Sequence, residues 1–194
     1  MKAIWILLVR LRGWKFQLPT IEECPELKRC VLVMAPHTCI EDFFVGAASV
    51  WKIGLNAKIF MKDSFENWLT APILRWAGVV SIDRGNKNNN LVGKAVEMLN
   101  QADNMTVVIT PEGTRKAVKR WKRGFYEIAT QAQVPIALST LDYKNKVATI
   151  KKIFYPTGDF NADMIEIMKE YQDVHAKVPS MFNKSDAAYR DKLI

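Results

Sequence analysis

With 194 residues, 49% of them apolar, the chain has the size of one domain and enough apolar side chains to bury a core without covalent staples. Its three cysteines, Cys24, Cys30 and Cys39, are odd in number and lack metal-pair spacing; with only two histidines, His37 and His175, this argues against a disulfide framework and a zinc site and for a reducing compartment. The formal net charge of +8, from 28 Lys and Arg against 20 Asp and Glu, favours an anionic partner without choosing among phosphate ligands, an anionic lipid surface and nucleic acid.

At the N-terminus, Ala3 to Val9 is continuously apolar and is followed by Arg10, Arg12, Trp14 and Lys15. The run is far shorter than the roughly 20 residues of a spanning helix. Its Arg-rich flank, with no small-residue cleavage site, is unlike a secretory signal. Two readings fit residues 1–16. In one, a short helix lies on a membrane with Trp5 and Trp14 as interfacial anchors and the basic residues on anionic head groups. In the other, Ile4, Leu8 and Leu11 cap the core.

Leu18 to Glu26 is turn-rich, with Pro19 and Pro25, and leads to the apolar run Val31 to Met34, a buried strand. A helix is predicted over Glu41 to Ile53, ending at Gly54, then a strand over Ala57 to Met61. A further helix starts at Ser64 and is interrupted or kinked at Pro72. Gly78 to Ile82 reads as a strand, Leu91 to Gln101 as a helix, Met105 to Thr110 as a strand and Phe125 to Ala132 as a helix. Strands over Val134 to Thr140 and Val147 to Phe154 precede a closing helix over Asp163 to His175. This alternation implies an α/β fold: a single domain with a mostly parallel central sheet and helices on both faces.

In such sheets the loops at the strand C-terminal ends converge on a ligand. Three segments qualify: the corner after Met34 carrying His37 and Asp42, the corner carrying Asp83, Arg84 and Gly85, and the stretch Glu112, Gly113, Thr114, Arg115. Positions five apart on a helix diverge by about 140°. His37 and Asp42 therefore meet only if His37 stands in the loop and Asp42 in the first helical turn, the arrangement a general base needs. Arg84 and Arg115 suit phosphate oxygens, Gly113 permits close backbone approach, and Glu112 and Thr114 offer polar contacts. A base beside phosphate-binding groups points to deprotonation of a hydroxyl on a phosphorylated substrate. No P-loop or Gly-x-Gly-x-x-Gly pattern is present, which argues against kinase chemistry.

The segment His37-Thr38-Cys39-Ile40-Glu41-Asp42 resembles the His-x-x-x-x-Asp motif of the glycerolipid acyltransferases, the family that includes lysophosphatidate (1-acyl-sn-glycerol-3-phosphate) acyltransferase. Gly78 to Arg84 is similar to that family's second block, Glu112-Gly113-Thr114-Arg115 to its third and Val134-Pro135-Ile136 to its fourth, in the same order. Ser81 departs from the aromatic residue common in the second block. The resemblance implies a glycerol-3-phosphate acyltransferase-like domain over residues 17–194 and transfer of an acyl group from a thioester to a lysophospholipid hydroxyl, lysophosphatidate to phosphatidate first among the acceptors. It implies His37 as general base oriented by Asp42, with Arg84, Glu112, Gly113, Thr114 and Arg115 binding the acceptor's phosphate and glycerol. It implies no metal and no cofactor, with acyl-coenzyme A or acyl-carrier protein as cosubstrate, and a cytoplasmic, peripheral site on the inner face of an anionic membrane.

Three alternatives stand beside it. Another lysolipid, such as an aminoacyl lipid, could be the acceptor under the same mechanism. Cys39 could act as a thiolate nucleophile with His37, although it lies only two residues away. As a non-enzyme, the run Arg115, Lys116, Lys119, Arg120, Lys122 and Arg123, interleaved with Trp121, Phe125 and Tyr126, could bind a membrane or nucleic acid, of which the membrane is favoured and no nucleic acid is expected. His175 is expected to be a surface residue.

Overall fold

A computed structural model describes residues 1–62, 71–82 and 90–190. Its helices are α1 (Lys2–Leu11), α2 (Glu41–Ile53), α3 (Ala71–Trp76), α4 (Leu91–Asn100), α5 (Gly124–Ala132), α6 (Phe160–Lys169) and α7 (Ala187–Arg190). The strands are β1 (Lys15–Gln17), β2 (Arg29–Met34), β3 (Ala57–Lys62), β4 (Val79–Ile82), β5 (Met105–Ile109), β6 (Ile136–Asp142) and β7 (Val147–Phe154). They form one sheet in the order β1-β7-β6-β2-β5-β3-β4. Every neighbouring pair is parallel except β6 and β7, which are antiparallel.

The sheet is covered on both sides, so its central strands are near-continuous apolar runs, as parallel strands buried on two faces must be. Along β2 the side chains alternate: Val31 and Val33 pack under α4, α5 and α6, whereas Cys30, Leu32 and Met34 pack under α1 and α2. Because β2 pairs in parallel with β5, the loops leaving their C-terminal ends emerge side by side. That adjacency places residues near position 37 beside residues near position 112.

Helix α2 ends where the apolar pattern predicts, because Gly54 adopts a left-handed conformation with φ of +87° and donates its N–H to the Val50 carbonyl. Pro72 occupies the first turn of α3, where its missing N–H removes no helical bond. The expected start of that helix at Ser64, and the Asp83-Arg84-Gly85 corner, lie outside the described residues.

Two expectations are corrected. The closing helix over Asp163 to His175 is instead α6, which starts three residues earlier, where the Asp159 side chain caps the N–H groups of Asn161 and Ala162. It stops at Lys169, after which Tyr171, Gln172 and Val174 each bond three residues back and the chain turns towards the His37 corner. At the N-terminus, Ile4, Leu8 and Leu11 do not cap the core: they are 62%, 53% and 73% exposed. Trp5, Ile6 and Val9 on the opposite face of α1 pack instead, and the Trp5 indole N–H donates to the Phe44 carbonyl at 3.1 Å. Trp14 is buried edge-on against Tyr143 and serves no membrane interface. Strand β1 escapes a periodicity reading because it is three residues long.

Candidate active site

His37 stands in the loop after β2, and Asp42 is the second residue of α2. The helix has no side-chain cap at Ile40. Asp42 instead reaches back over the preceding loop, its Oδ2 accepting the N–H groups of Thr38 at 2.6 Å and Cys39 at 2.9 Å. This fold-back brings Nδ1 of His37 to 3.3 Å from the same oxygen. The other oxygen, Oδ1, accepts from the Tyr143 hydroxyl at 2.6 Å and the Cys39 thiol at 3.2 Å. Burial by itself would raise the Asp42 carboxyl, but hydrogen bonds from His37, Tyr143 and Cys39 outweigh it and hold the group below its ordinary value. An ionised carboxylate 3.3 Å from Nδ1 favours the tautomer with its proton there and the lone pair on Nε2, while the ring itself borders a cavity.

Glu112, expected to bind the acceptor's glycerol and phosphate, lies beneath the corner. It is 3% exposed and does not line the cavity; its Oε1 accepts the backbone N–H of His37 at 2.9 Å. Its Oε2 is buried without a hydrogen-bond partner among the described residues, and burial pushes the carboxyl up to about 7. The adjacency of β2 and β5 explains this turn inward: the side chain following β5 is next to the backbone following β2.

The cavity has a volume of about 300 Å³ and two kinds of wall. His37, Asp42, Gly113, Thr114 and Arg115 form a polar end. From α2, Phe43, Gly46, Ala47 and Val50 face it at helical spacing, opposite Ile59, Phe60 and Val108 from β3 and β5. Gly113 has φ of +64°, a left-handed backbone conformation that favours glycine. Arg115 is exposed at the cavity's edge, and the Thr114 hydroxyl accepts the Lys116 N–H at 3.3 Å. Arg84 lies outside the described residues.

A family model described as Acyltransferase matches residues 15–137, from β1 into β6, including His37, Asp42 and the turn at 112–115. The chain belongs to the acyltransferase family. A solved structure of similar fold is that of the 1-acyl-sn-glycerophosphate (LPA) acyltransferase PlsC from Thermotoga maritima, with a TM-score of 0.61, 16% identity, and coverage of 89% of this chain and 74% of that one. At that identity the likeness is one of fold. No curated protein matches the sequence.

Within this acyltransferase, Cys39 is poorly placed as a nucleophile. Its thiol sits against Asp42 and Tyr143, burial raises its pKa, and it is not part of the cavity wall. The basic run after Thr114 is also poorly built for nucleic acid. Trp121, Phe125 and Tyr126 are core residues at 5%, 1% and 3% exposure, so none can stack a base. Arg120 is bound to Asn161 and lies over Tyr189, and Arg123 lies over Phe160. His175 is exposed, 3.5 Å from an Asp142 oxygen. Sequence reading missed Tyr143, which lies 101 residues from Asp42 and outside every motif.

Proposed function

We propose that this acyltransferase moves a fatty acyl group from a thioester to the free hydroxyl of a lysophospholipid, lysophosphatidate to phosphatidate being the favoured reaction. The observation that carries this reading is a His37–Asp42 contact of 3.3 Å at the polar end of a cavity whose remaining walls are largely apolar and whose rim holds Arg115.

The acceptor hydroxyl gives its proton to Nε2 of His37 as its oxygen attacks the thioester carbonyl. The Asp42 carboxylate stabilises the imidazolium that forms. The tetrahedral intermediate collapses with loss of the C–S bond, the departing thiolate takes the proton, and no acyl-enzyme forms. The acyl chain lies along Phe43, Gly46, Ala47 and Val50, the apolar wall of the cavity. Arg115 binds the acceptor phosphate, joined by Arg84, with Gly113 and Thr114 letting the glycerol approach. Glu112 acts from below by holding the backbone of His37. No metal or cofactor takes part, and the acyl carrier is coenzyme A or a carrier protein.

Access to a lipid acceptor is supplied by α1. Ile4, Leu7, Leu8 and Leu11 recur at helical spacing and are all more than half exposed, an apolar stripe beside Arg10 and Arg12 that suits an anionic bilayer surface. No described helix is long and apolar enough to cross a membrane. The protein is proposed to be peripheral through this exposed stripe of α1, whose opposite face packs on the acyltransferase domain together with Trp14 and β1.

The test is thiol release from acyl-coenzyme A with a panel of lysolipids. Release dependent on lysophosphatidate supports the reading; release only with an aminoacyl or neutral lysolipid replaces the acceptor; no release with any acceptor and either donor overturns it.

A further inference from the structure

We propose that Tyr143 is a positioning residue for the histidine and aspartate pair: its hydroxyl fixes Oδ1 of Asp42 so that Oδ2 is presented to the ring of His37. The kinetic part of this inference rests on the acyl-transfer reading above; the geometric part does not.

A carboxylate turns easily about its last torsion, whose preferences are broad. The two backbone N–H groups that bind Asp42, those of Thr38 and Cys39, both meet Oδ2. They anchor one oxygen and leave the plane free to swing about it. A second anchor must hold Oδ1, and the groups there are the Tyr143 hydroxyl at 2.6 Å and the Cys39 thiol at 3.2 Å. A thiol is a weak donor, so the phenol dominates. Burial, together with the neighbouring carboxylate, pushes the ionisation of Tyr143 far up, so its hydroxyl keeps the proton it donates.

Tyr143 is itself braced. Its backbone N–H donates to the His175 carbonyl at 2.8 Å, and its ring meets Trp14 edge-on with centroids 4.9 Å apart. Lys177, which pairs with Glu41 at the start of α2, lies 5.9 Å from the ring centroid. The side chain thus reaches the pair from just beyond β6, held by the N-terminal segment and by the chain that follows α6, and it does not line the cavity. This placement separates orientation of the carboxylate from contact with substrate.

The experiment is Tyr143→Phe, which removes the hydroxyl and keeps the ring on Trp14. Losing a hydrogen bond to a charged group predicts a fall in kcat of about tenfold to a hundredfold, with KM for donor and acceptor within about twofold. In an Asp42→Asn background the same change should add less than about twofold, because the two act through one contact. A readout without substrate is the His37 tautomer, followed by carbon NMR of the labelled ring in a chain with only two histidines. The wild type should hold the Nδ1–H form, and Tyr143→Phe should shift it towards Nε2–H. An unchanged tautomer, an unchanged kcat, or losses that multiply with Asp42→Asn would each overturn the proposal. A wild type that releases no thiol yet shows the tautomer shift would sink the acyl-transfer reading and leave the clamp standing. Should Tyr143→Phe fail to fold, Trp14→Leu, which loosens the ring and retains the hydroxyl, must produce a partial shift of the same sign; no shift overturns the clamp.

Discussion

The backbone N–H of His37 donates to Oε1 of Glu112 at 2.9 Å, so the loop bearing the proposed base is fastened to a buried acid on the neighbouring strand's exit. The bond crosses 75 residues of sequence and joins the first and third motif segments into one unit.

That acid gives a pH signature in stability. Burial raises Glu112 from 4.5 to about 7. A group raised on folding contributes stability that is full below its unfolded value and is lost as pH rises through the folded one. Glu112→Gln keeps an oxygen for the His37 N–H and cannot titrate. Between pH 5 and pH 8 the wild type should lose up to about 3 kcal/mol relative to the variant. Denaturant unfolding of both at the two pH values checks this, and an unchanged difference contradicts it.

His37→Ala should lower kcat by about 10²- to 10⁴-fold, the usual worth of general-base catalysis. Asp42→Asn should lower it by less, and Cys39→Ala should stay within about threefold because its thiol faces the carboxylate and not the cavity. Thiol-release kinetics on the three variants separate base catalysis from a thiolate route, which predicts a dead Cys39→Ala.

Arg115→Ala should cost about tenfold to a hundredfold in kcat/KM with lysophosphatidate, the scale of a lost charge-assisted hydrogen bond. An acceptor lacking an anionic head group should be affected less than threefold. Equal losses on both would move Arg115 from head-group binding to the architecture of the turn.

Ala47 lies on the α2 face of the cavity between Gly46 and Val50, where side-chain volume sets the room available. Ala47→Leu should reduce kcat/KM for the longest acyl donors by more than about tenfold while sparing short ones, since each excluded methylene is worth about 0.8 kcal/mol. A chain-length series of acyl-coenzyme A substrates reads the effect; a uniform fall would place the acyl chain elsewhere.

Leu7 and Leu8 are 54% and 53% exposed, so replacing both with glutamate should leave the fold intact. Each removes about 1.5–3 kcal/mol of apolar burial from a membrane contact, and co-sedimentation with anionic vesicles should fall by at least about tenfold. Undiminished binding would assign the contact to the basic surface instead.

The α/β alternation was legible in the chain alone, because apolar runs in β2 and β5 and the periodicity of α2 are local properties of consecutive residues. His37, Asp42 and the 112–115 segment were legible too, through their residue types and order along the chain. Which way each side chain faces depends on how the elements pack. Glu112 and Arg115 are three residues apart in a tight turn: one is buried under His37 and the other stands at the cavity rim. The apolar residues of α1 likewise divide between a packed and an exposed face according to where α2 lies. Tyr143 left no trace in any motif, since its role comes from the packing of β6, Trp14 and the chain after α6 around one carboxylate. Contacts made across the sheet depend on strand order, and strand order is not a property of any local stretch of chain.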